Sequence, residues 1–369
     1  MKEKLLTFFK KETILCIACL LAALSACIVP PDTAYLGYVD TRVLILLFSL
    51  MAVLAGFRAL GIFDRMANLL LARAKKMRQL ALTLVMLCFF SAMLVTNDVA
   101  LITFVPFTIL LLQRVHLEEK LIPVIVLQTI AANLGSMLTP VGNPQNLYLF
   151  SYYDLSAKIF FSAMLPPFIL STVLILLCCL VFPKEQLSVP EAQVTVDSRR
   201  AVIYGGLFCL AVAMVLRLVP YILGLAVIVL ALWLLDRHAL KTVDWGLLAT
   251  FAAFFTFSGN LARMEAVRVL FARLLSHGTI LISALTCQII SNVPAAILLS
   301  RFTQDARGLL VGVNVGGAGT LVASLASLIT FREYTRHVPN GGKQFLFLFS
   351  GISFTFLTIL LMAMSFLNG

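Results

Sequence analysis

Long apolar runs separated by short polar segments fill this chain, and they constrain its fold more than any other feature. A helix needs about 20 apolar residues to cross the hydrocarbon core of a bilayer. Runs of that order, some of them short or broken by polar residues, fall near 13–30, 41–60, 78–95, 99–113, 121–138, 157–182, 201–219, 220–235, 244–260, 279–290 with 293–300, 308–330 and 344–367. The sequence therefore predicts an all-α polytopic membrane protein.

Composition supports this interpretation and excludes other classes. Hydrophobic residues make up 61% of the 369 residues and charged residues 12%, whereas soluble domains have about 45–50% and about 25%. A soluble globule of this size could not bury so much apolar surface in one core. We therefore exclude a water-soluble enzyme, a disordered chain and a nucleic-acid-binding domain. The formal net charge of +11 is attributed to Lys and Arg in cytoplasmic loops.

The distribution of basic residues predicts the orientation. We interpret the chain as about nine full crossings plus two hairpins that return to their own side. With the N-terminus in the cytoplasm, most Lys and Arg residues fall on the cytoplasmic side and the C-terminus lies outside. The basic segment 1–11 resembles the start of a signal peptide, but no clear cleavage site follows. We therefore interpret the first apolar run as a retained helix.

Two regions have the pattern of helical hairpins. In 78–114 the segment Thr96-Asn97-Asp98 separates two apolar arms, and in 279–301 the interruption is Ser291-Asn292. The second region is too short for two crossings at about 1.5 Å per residue, which favours a re-entrant hairpin. For the first region, two ordinary helices joined by a turn outside the membrane stay an alternative. Segments 61–76 and 261–276 mix Arg with apolar residues at helical spacing and predict amphipathic helices at the membrane interface.

An internal repeat follows from these hairpins. Each half has a hairpin with Asn at its tip and then a span interrupted by glycine, AANLGSMLTPVGNPQN in the first half and VGGAGTLVASLASLIT in the second. We match Asn97 with Asn292, and Gly135-Ser136 with Gly319-Thr320. The number of crossings between them gives the two copies opposite orientations. Inverted repeats with broken helices are the layout of secondary transporters, whose sites lie where the two halves meet.

The two hairpin tips and the two breaks supply the candidate site. Irregular backbone at membrane depth is tolerated only inside protein or along a water-filled cavity, and the carbonyls and helix ends at such breaks bind ions. A glycine-kinked packing helix is the alternative for one break taken alone. The candidate ligands for substrate or ion are Thr96, Asn97, Asp98, Gly135, Ser136, Thr139, Gly142, Asn143, Ser291, Asn292, Gly317, Gly319, Thr320 and Ser324.

Asp98 is the one acidic residue that this assignment places deep in the membrane. Such a group is costly there and is a functional hypothesis by default. Burial favours its protonated form, whereas a bound cation or a helix N-terminus favours the carboxylate. It could therefore carry a proton, or bind Na⁺ together with Asn97, Gly135 and Asn143. A helix cap on the second arm is the alternative. Apart from such a Na⁺ ion we expect no cofactor.

The segments TNDVALITFVPF, GSMLTPVGNPQN, ISNVPAA and GGAGTLVASLASLI resemble the ion transporter superfamily. The resemblance is greatest to the citrate-transporter-like and arsenite-permease-like bacterial anion permeases, which are related to the divalent anion/sodium symporters. It covers most of the chain, roughly 40–367. It implies a scaffold formed by 1–76 and 201–276, a transport part formed by 78–182 and 279–369, a homodimer, and elevator-like movement.

The resemblance also bears on the coupling ion. Sodium/dicarboxylate symporters of this superfamily carry Ser-Asn-Thr at both hairpin tips, whereas this chain has Thr96-Asn97-Asp98 and Ser291-Asn292-Val293. Val293 lacks the second hydroxyl, which argues against a design with two sodium ions. The additional Asp98 favours a proton or a single cation.

The sequence thus predicts a secondary active transporter in the bacterial inner membrane, with a small anion as substrate and H⁺ or Na⁺ as coupling ion. An arsenite or antimonite exporter and a Na⁺/H⁺ antiporter on the same fold are the alternatives. An intramembrane enzyme is disfavoured because the spans contain no catalytic motif, and a channel because inverted hairpins favour alternating access. We expect no enzymatic activity. The sequence names neither the substrate nor the direction of transport, and it leaves a partner ATPase open.

Overall fold

The computed structural model describes residues 12–71, 74–186 and 196–368. Across these residues the chain is helical, without a strand, and one isolated bridge joins Lys76 and Gln186. The helices of the first half are α1 (Thr13–Ile28), α2 (Thr41–Ala59), α3 (Ile62–Leu71), α4 (Met77–Val95), α5 (Asn97–Arg114), α6 (Leu121–Gly135), α7 (Pro144–Tyr152) and α8 (Ala157–Leu180). The basic segment 1–11, which the sequence places before a retained first helix, lies outside the described residues.

The second half continues the helical pattern. Its helices are α9 (Ser198–Val215), α10 (Tyr221–Leu235), α11 (Arg237–Lys241), α12 (Trp245–Arg263), α13 (Glu265–Leu275), α14 (Thr279–Ile290), α15 (Asn292–Leu299), α16 (Ala306–Val315), α17 (Leu325–His337) and α18 (Gly342–Asn368). Short 3₁₀ turns cover Ser136–Leu138 and Leu321–Ala323. Every apolar run of the sequence corresponds to one or two of these helices.

The length and apolarity of the helices confirm the polytopic membrane class. In the described residues eight helical segments suffice to cross a bilayer, namely Thr41–Ala59, Met77–Val95, Asn97–Arg114, Glu118–Leu138, Ala157–Leu180, Ser198–Val215, Arg237–Arg263 and Gly342–Leu367. The helices α13 and α14 are bent by 118° relative to each other at a short break. They would make a ninth spanning segment if the pair is counted as one. This set includes both arms of the first hairpin and omits the shorter α1 and α10, so the number and identity of the crossings stay a prediction.

The two hairpin tips share one backbone conformation. Thr96 joins α4 to α5 with φ 72° and ψ 151°, and Ser291 joins α14 to α15 with φ 74° and ψ 159°. A positive φ is costly for residues with a Cβ, and such strain persists only where the surroundings enforce it. The arms differ in length. Those of the first hairpin have 19 and 18 residues, and those of the second have 12 and 8.

The arm lengths bear on the prediction that both hairpins are re-entrant. An eight-residue helix is about 12 Å long, too short to cross the roughly 30 Å hydrocarbon core, which agrees with a re-entrant second hairpin. Each arm of the first hairpin is long enough to cross. Its tip is nevertheless buried, with 4% of Asn97 exposed, so an outside turn in water does not fit the structure.

Packing interlocks the two halves. The second arm of the first hairpin, α5, packs on α17, and the second arm of the second hairpin, α15, packs on α7. The helices α1 and α12 pack together, and α9 and α10 pack on α2. These two sets correspond to the segments expected for a transport part and a scaffold, with α2 on α7 and α12 on α15 joining them. The division of labour between the sets stays a prediction.

Candidate binding site between two broken helices

Both predicted breaks interrupt the helical backbone. The first follows α6 and continues through the turn Ser136–Leu138 and extended residues to the start of α7 at Pro144. The second follows α16 and ends where α17 begins, at Leu325. Most residues of both breaks are buried, among them Ser136 with 0% and Asn143 with 2% of their surface exposed. The polar groups of this non-helical backbone therefore need protein partners.

Glycine allows each break to approach its hairpin closely. A Cβ at Gly135 would overlap the backbone oxygen of Phe89 on α4, and a Cβ at Gly316 would lie 2.7 Å from the Cα of Ala284 on α14. Phe89 and Ala284 each lie seven residues before their hairpin tip. Gly135 thus corresponds to Gly316. The sequence-based pairing of Gly135-Ser136 with Gly319-Thr320 is wrong by three residues, because the second break contains several glycines and the sequence match chose a later one.

Thr139 and Thr320 make equivalent hydrogen bonds, each of which joins a break to the hairpin of its own half. The Oγ1 of Thr139 donates to the backbone oxygen of Met93, and that of Thr320 donates to the backbone oxygen of Gln288 at 3.1 Å. Met93 and Gln288 each lie three residues before a hairpin tip. Both threonines are candidate residues from the sequence, and the structure gives each of them a bond within the protein.

Gln288 shapes the second break further. Its Nε2 donates to the backbone oxygens of Gly316 (2.8 Å) and Ala318 (3.1 Å), and its Oε1 accepts from the backbone nitrogen of Thr320 (2.8 Å). Gly319 has φ +120°, a conformation that only glycine adopts readily. The backbone nitrogen of Gly319 donates to the Oγ of Ser353 on α18 at 2.9 Å. Side chains from two other helices therefore satisfy the irregular backbone of this break.

Asn133 joins the first half to the second break. Its Oδ1 accepts from the Nδ2 of Asn97 at the first hairpin tip and from the Oγ of Ser324, both at 2.9 Å. Its Nδ2 donates to the Oγ of Ser327 at 2.9 Å. One buried amide therefore holds the first tip and the start of α17 together. Because Ser324 and Ser327 lie in the other half of the chain, these bonds tie the halves to each other.

Asn314 makes the corresponding bonds in the other direction. Its Oδ1 accepts from the Nδ2 of Asn143 at 3.3 Å, and its Nδ2 donates to the Oδ1 of Asn146 at 2.6 Å. Asn143 is the residue before α7, and Ser324 is the residue before α17. The other partners, Asn146 and Ser327, lie three residues further along the chain. The two halves therefore exchange equivalent contacts.

The first break is also held from within. The Nδ2 of Asn146 donates to the backbone oxygens of Ser136, Met137 and Thr139 at 3.1–3.4 Å. The Oγ of Ser136 donates to the backbone oxygen of Asn133 at 2.9 Å. A Cβ at Gly142 would overlap the backbone oxygen of Ser136. These contacts fix the curvature of the break, so Ser136 and Gly142 have structural roles besides any contact with a ligand.

The hairpin tips contact the breaks directly. The backbone nitrogen of Asn97 donates to the backbone oxygen of Gly142 at 3.3 Å, and the Oγ of Ser291 lies 3.4 Å from the backbone oxygen of Ala323. Each tip therefore contacts the break of its own half, and Asn133 also links the first tip to the second break.

The tip asparagines use their amide oxygens in the same way. The Oδ1 of Asn97 accepts from the backbone nitrogen of Asp98 at 3.0 Å, and the Oδ1 of Asn292 accepts from that of Val293 at 2.9 Å. A carbonyl oxygen retains a second lone pair for a ligand. A Cβ at Gly317 would lie 3.3 Å from the Nδ2 of Asn292, so this glycine borders the second tip.

Four helices begin at these tips and breaks without a side-chain cap. They are α5, α7, α15 and α17, and the residues that precede them are Thr96, Asn143, Ser291 and Ser324. These residue types normally accept a hydrogen bond from a backbone N–H of the first turn. The other Ser, Thr and Asp residues at described helix starts do so, namely Asp32, Asp40, Ser156, Asp197, Asp236, Asp244, Asp305 and Thr320. At these starts part of the first turn is already satisfied, because the backbone oxygen of Gly142 accepts from the backbone nitrogen of Asn97 and the tip amides accept from those of Asp98 and Val293. Pro144 and Pro294 have no N–H. Only the remaining first-turn N–H groups are available to a ligand.

A cavity of about 640 Å³ opens at the first tip. Thr96, Asp98 and Asn143 line it from the site, and Arg58 and Lys241 are among the residues that line it from the scaffold helices. Asn143 is 2% exposed and its Oδ1 has no hydrogen-bond partner among the described residues. A bare buried acceptor is costly, so this oxygen is a candidate contact for a ligand.

The carboxylate of Asp98 faces the same cavity and a second one of about 180 Å³ that also reaches Glu12, Asp244 and Arg332. In the described part of the chain this carboxylate makes no hydrogen bond or ion pair. Of the two residues that the sequence offers as a cap for α5, Asn97 accepts a first-turn N–H, that of Asp98, and Asp98 accepts none. The described residues also contain no group of three or more His, Cys, Asp or Glu side chains that could hold a metal ion. A Na⁺ ion at Asn97, Asp98, Gly135 and Asn143 stays a prediction.

Sequence reasoning missed the residues that join the two halves. They are Asn133, Asn146, Gln288, Asn314, Ser327 and Ser353. A signal was present, since Asn133 and Asn314 each lie two residues before a glycine at the end of an apolar helix. Buried amides in such helices are expected to have specific partners, but the partners lie far away in the sequence.

Comparison with known proteins places the chain among transporters. A family model described as citrate transporter (CitMHS) matches residues 5–307. An uncharacterized transporter of Methanocaldococcus jannaschii is 32% identical over 329 residues, which cover 88% of this chain and 89% of that protein. The inner membrane protein YbiR of Escherichia coli is 32% identical over 302 residues, 80% of each chain.

A solved structure also shares the fold. The YdaH transporter of Alcanivorax borkumensis, described as having an unusual topology, superposes with a TM-score of 0.56. The match covers 96% of this chain and 97% of that one, at 16% identity. At this identity the likeness concerns the fold alone.

Proposed function

We propose that this protein, which belongs to the citrate transporter family CitMHS, is a secondary active transporter of a small anion. Its family and its relatives identify it as a membrane transporter and not an enzyme. Our proposal is that the cargo is a carboxylate or an inorganic oxyanion and that H⁺ or Na⁺ drives its transport. It rests on the four uncapped helix starts at the two tips and breaks.

Helix N-termini suit an anion. Unpaired N–H groups and the helix dipole give each start a partial positive charge of about half an elementary charge, and such ends bind phosphate and carboxylate groups. The tips and breaks contain no Lys or Arg. The attraction at the site would therefore come from backbone groups, because the cavity wall carries Glu12, Asp98 and Asp244 as well as Arg58 and Lys241 and so adds no excess of positive charge.

Asp98 supports coupling to a cation. Its carboxylate lies beside the first tip, without a hydrogen-bond or ion-pair partner in the described residues, and faces water-accessible cavities. A proton or a Na⁺ ion on Asp98 would remove the repulsion between this carboxylate and an anionic substrate. Val293 stands where the sodium/dicarboxylate symporters have a threonine at the second tip. Because the threonine hydroxyl is missing, we favour a proton over Na⁺ as the coupling ion.

The cross-bonds of Asn133 and Asn314 support an elevator-like mechanism. They join the first tip and both breaks into one unit, which would move against the scaffold as a body. We further propose inverted repeats, a homodimer, and a bacterial inner membrane location with the N-terminus in the cytoplasm and the C-terminus outside. The inner-membrane relative YbiR supports the location.

A thermal-stability screen of the purified protein tests the substrate. Citrate, dicarboxylates, phosphate, sulfate and arsenate would be compared at two pH values, with and without Na⁺. An anion at 100 times its Kd should stabilise the folded state by about 2.7 kcal/mol. If no anion raises the melting temperature under any of these conditions, the anion proposal is wrong.

An arsenite or antimonite exporter is the second candidate. The site offers hydroxyls, amides and N–H groups without a fixed cation, and such groups also suit an uncharged hydroxyl-bearing substrate. Neutral arsenite, added to the same screen, distinguishes the two. Stabilisation by arsenite and by no anion would favour the exporter.

A further inference from the structure

A lipid-facing groove lies between α4 and α8, at the end of α4 that is farthest from the hairpin tip. It encloses about 420 Å³. Its wall is formed by Leu82 on α4 and by Val173, Leu176, Leu177 and Leu180 on α8. These α8 side chains are 40–56% exposed. The groove therefore presents an apolar channel along the helices rather than a packed protein surface.

Arg78 lies at the end of this groove, near the start of α4. Its Nε donates to the backbone oxygen of Phe182 at 2.9 Å. Within the described residues the guanidinium has no carboxylate partner. A partly exposed guanidinium that is held in place by one bond is suited to bind the oxygens of a phosphate group.

The surrounding segment adds positive charge. The backbone nitrogens of Met77 and Arg78 donate to the backbone oxygens of Glu185 and Pro183, and Lys76 forms a bridge with Gln186. These bonds hold the segment 182–186 against the start of α4. Lys75, Lys76, Arg78 and Lys184 therefore lie in this region against the single acid Glu185 within the two joined segments.

We propose that the groove binds an anionic phospholipid, with an acyl chain along α8 and the phosphate on Arg78. The apolar channel matches the chain, and the excess of positive charge at its end matches the headgroup. Basic pockets between transmembrane helices bind anionic lipids by this combination. The site lies apart from the hairpin tips and does not depend on the identity of the transported substrate.

The experiment measures lipid binding to the purified full chain in detergent. Phosphatidylglycerol and phosphatidylcholine with identical acyl chains are titrated, and bound lipids are counted by native mass spectrometry. The charge variant is Arg78→Gln, with Arg199→Gln as control because Arg199 is an exposed arginine outside the groove. The shape variant is Leu176→Trp, with the lipid-exposed Leu230→Trp as its control.

Wild-type protein should prefer phosphatidylglycerol, and Arg78→Gln should lower that affinity about fivefold, the usual effect of one basic residue near anionic lipid. Leu176→Trp should lower binding of both lipids at this site, and neither control should change it. The melting temperature without lipid shows whether each variant folds. Equal affinity of wild type for the two lipids, or unchanged binding in both test variants, would overturn the proposal. It would also be overturned if the variants changed the oligomeric state instead, because a second protein copy would then occupy the groove.

Discussion

Asn133 and Asn314 hold equivalent positions in the two halves, and each bonds across to the helix start of the other half. Asn133 contacts Ser324 and Ser327, and Asn314 contacts Asn143 and Asn146. In both cases the partners are the residue before the helix and the residue three positions later. Two buried amides thus connect the parts of the site from opposite sides.

Removing one of these amides should destabilise the protein. In Asn133→Ala the polar groups of Asn97, Ser324 and Ser327 lose their partner, and each buried group left unsatisfied costs about 1–3 kcal/mol. Thermal unfolding in detergent measures the effect. A double-mutant cycle with Ser324→Ala should give a coupling energy of at least about 0.5 kcal/mol. Additive effects of the two changes would contradict the direct bond.

Gly135→Ala should abolish transport, because the new Cβ would overlap the backbone of α4 and push the break away from the hairpin. Gly205→Ala is the matched control. A Cβ at Gly205 would meet nothing within 4 Å, and alanine favours a helix by up to about 1 kcal/mol over glycine. Substrate exchange in liposomes measures both variants. Normal exchange by Gly135→Ala would show that the close approach is dispensable.

Asp98→Asn should separate binding from coupling. The variant keeps the size of the side chain but cannot ionise, so we expect it to exchange substrate and to lose uptake or efflux driven by a gradient. Flux into liposomes is measured under an imposed pH gradient and, separately, a Na⁺ gradient. Asp64→Asn on α3 serves as the control. Full gradient-driven flux by Asp98→Asn would make this acid a structural residue.

The ion pair between Asp32 and Arg263 predicts a pH dependence outside the site. The guanidinium lies 2.7 Å from the carboxylate and lowers the pKa of Asp32 below its ordinary value of 3.8. A lowered pKa in the folded state stabilises the protein above the unfolded value and ceases to do so as the pH falls through the folded value. Arg263→Gln should therefore lower the melting temperature equally at pH 8 and pH 6. The difference from wild type should shrink below about pH 4, and a constant difference down to pH 2 would contradict the pair.

Membrane topology can be tested by labelling. A cysteine at Ser188 should react only from the cytoplasm, and one at Asn368 only from outside, in a background without other cysteines. Labelling of both from the same side would contradict an odd number of crossings and the inverted orientation of the repeats.

The helices, the hairpin tips and the two breaks could be predicted from the sequence, because apolar length and polar interruptions act locally. Thr96-Asn97-Asp98 and Ser291-Asn292 correspond to the observed tips, and the two glycine-rich stretches correspond to the observed breaks. The residue-by-residue alignment of the two repeats could not be predicted from the sequence. Several glycines in the second break compete as matches for Gly135, and only the contact with α14 identifies Gly316.

The bonds between the halves lay beyond sequence reasoning for a different reason. Asn133 and Ser327 are separated by 194 residues, and the identity of a hydrogen-bond partner at that distance depends on how the helices pack. The absence of side-chain caps was equally hidden. Thr96, Asn143, Ser291 and Ser324 are ordinary capping residues by type, and only their geometry shows that they do not cap.

Exchange of a labelled anion into liposomes by Thr96→Asp and Thr96→Asn tests the central claim, that uncapped helix starts bind the substrate. Both changes place a side chain of similar size before α5, but only aspartate adds a negative charge at the helix start and the cavity. We predict that Thr96→Asn exchanges the anion and that Thr96→Asp does not, while Ser156→Asp, at a helix start that is already capped, behaves as wild type. Exchange by Thr96→Asp at the rate of Thr96→Asn would contradict anion binding at this site.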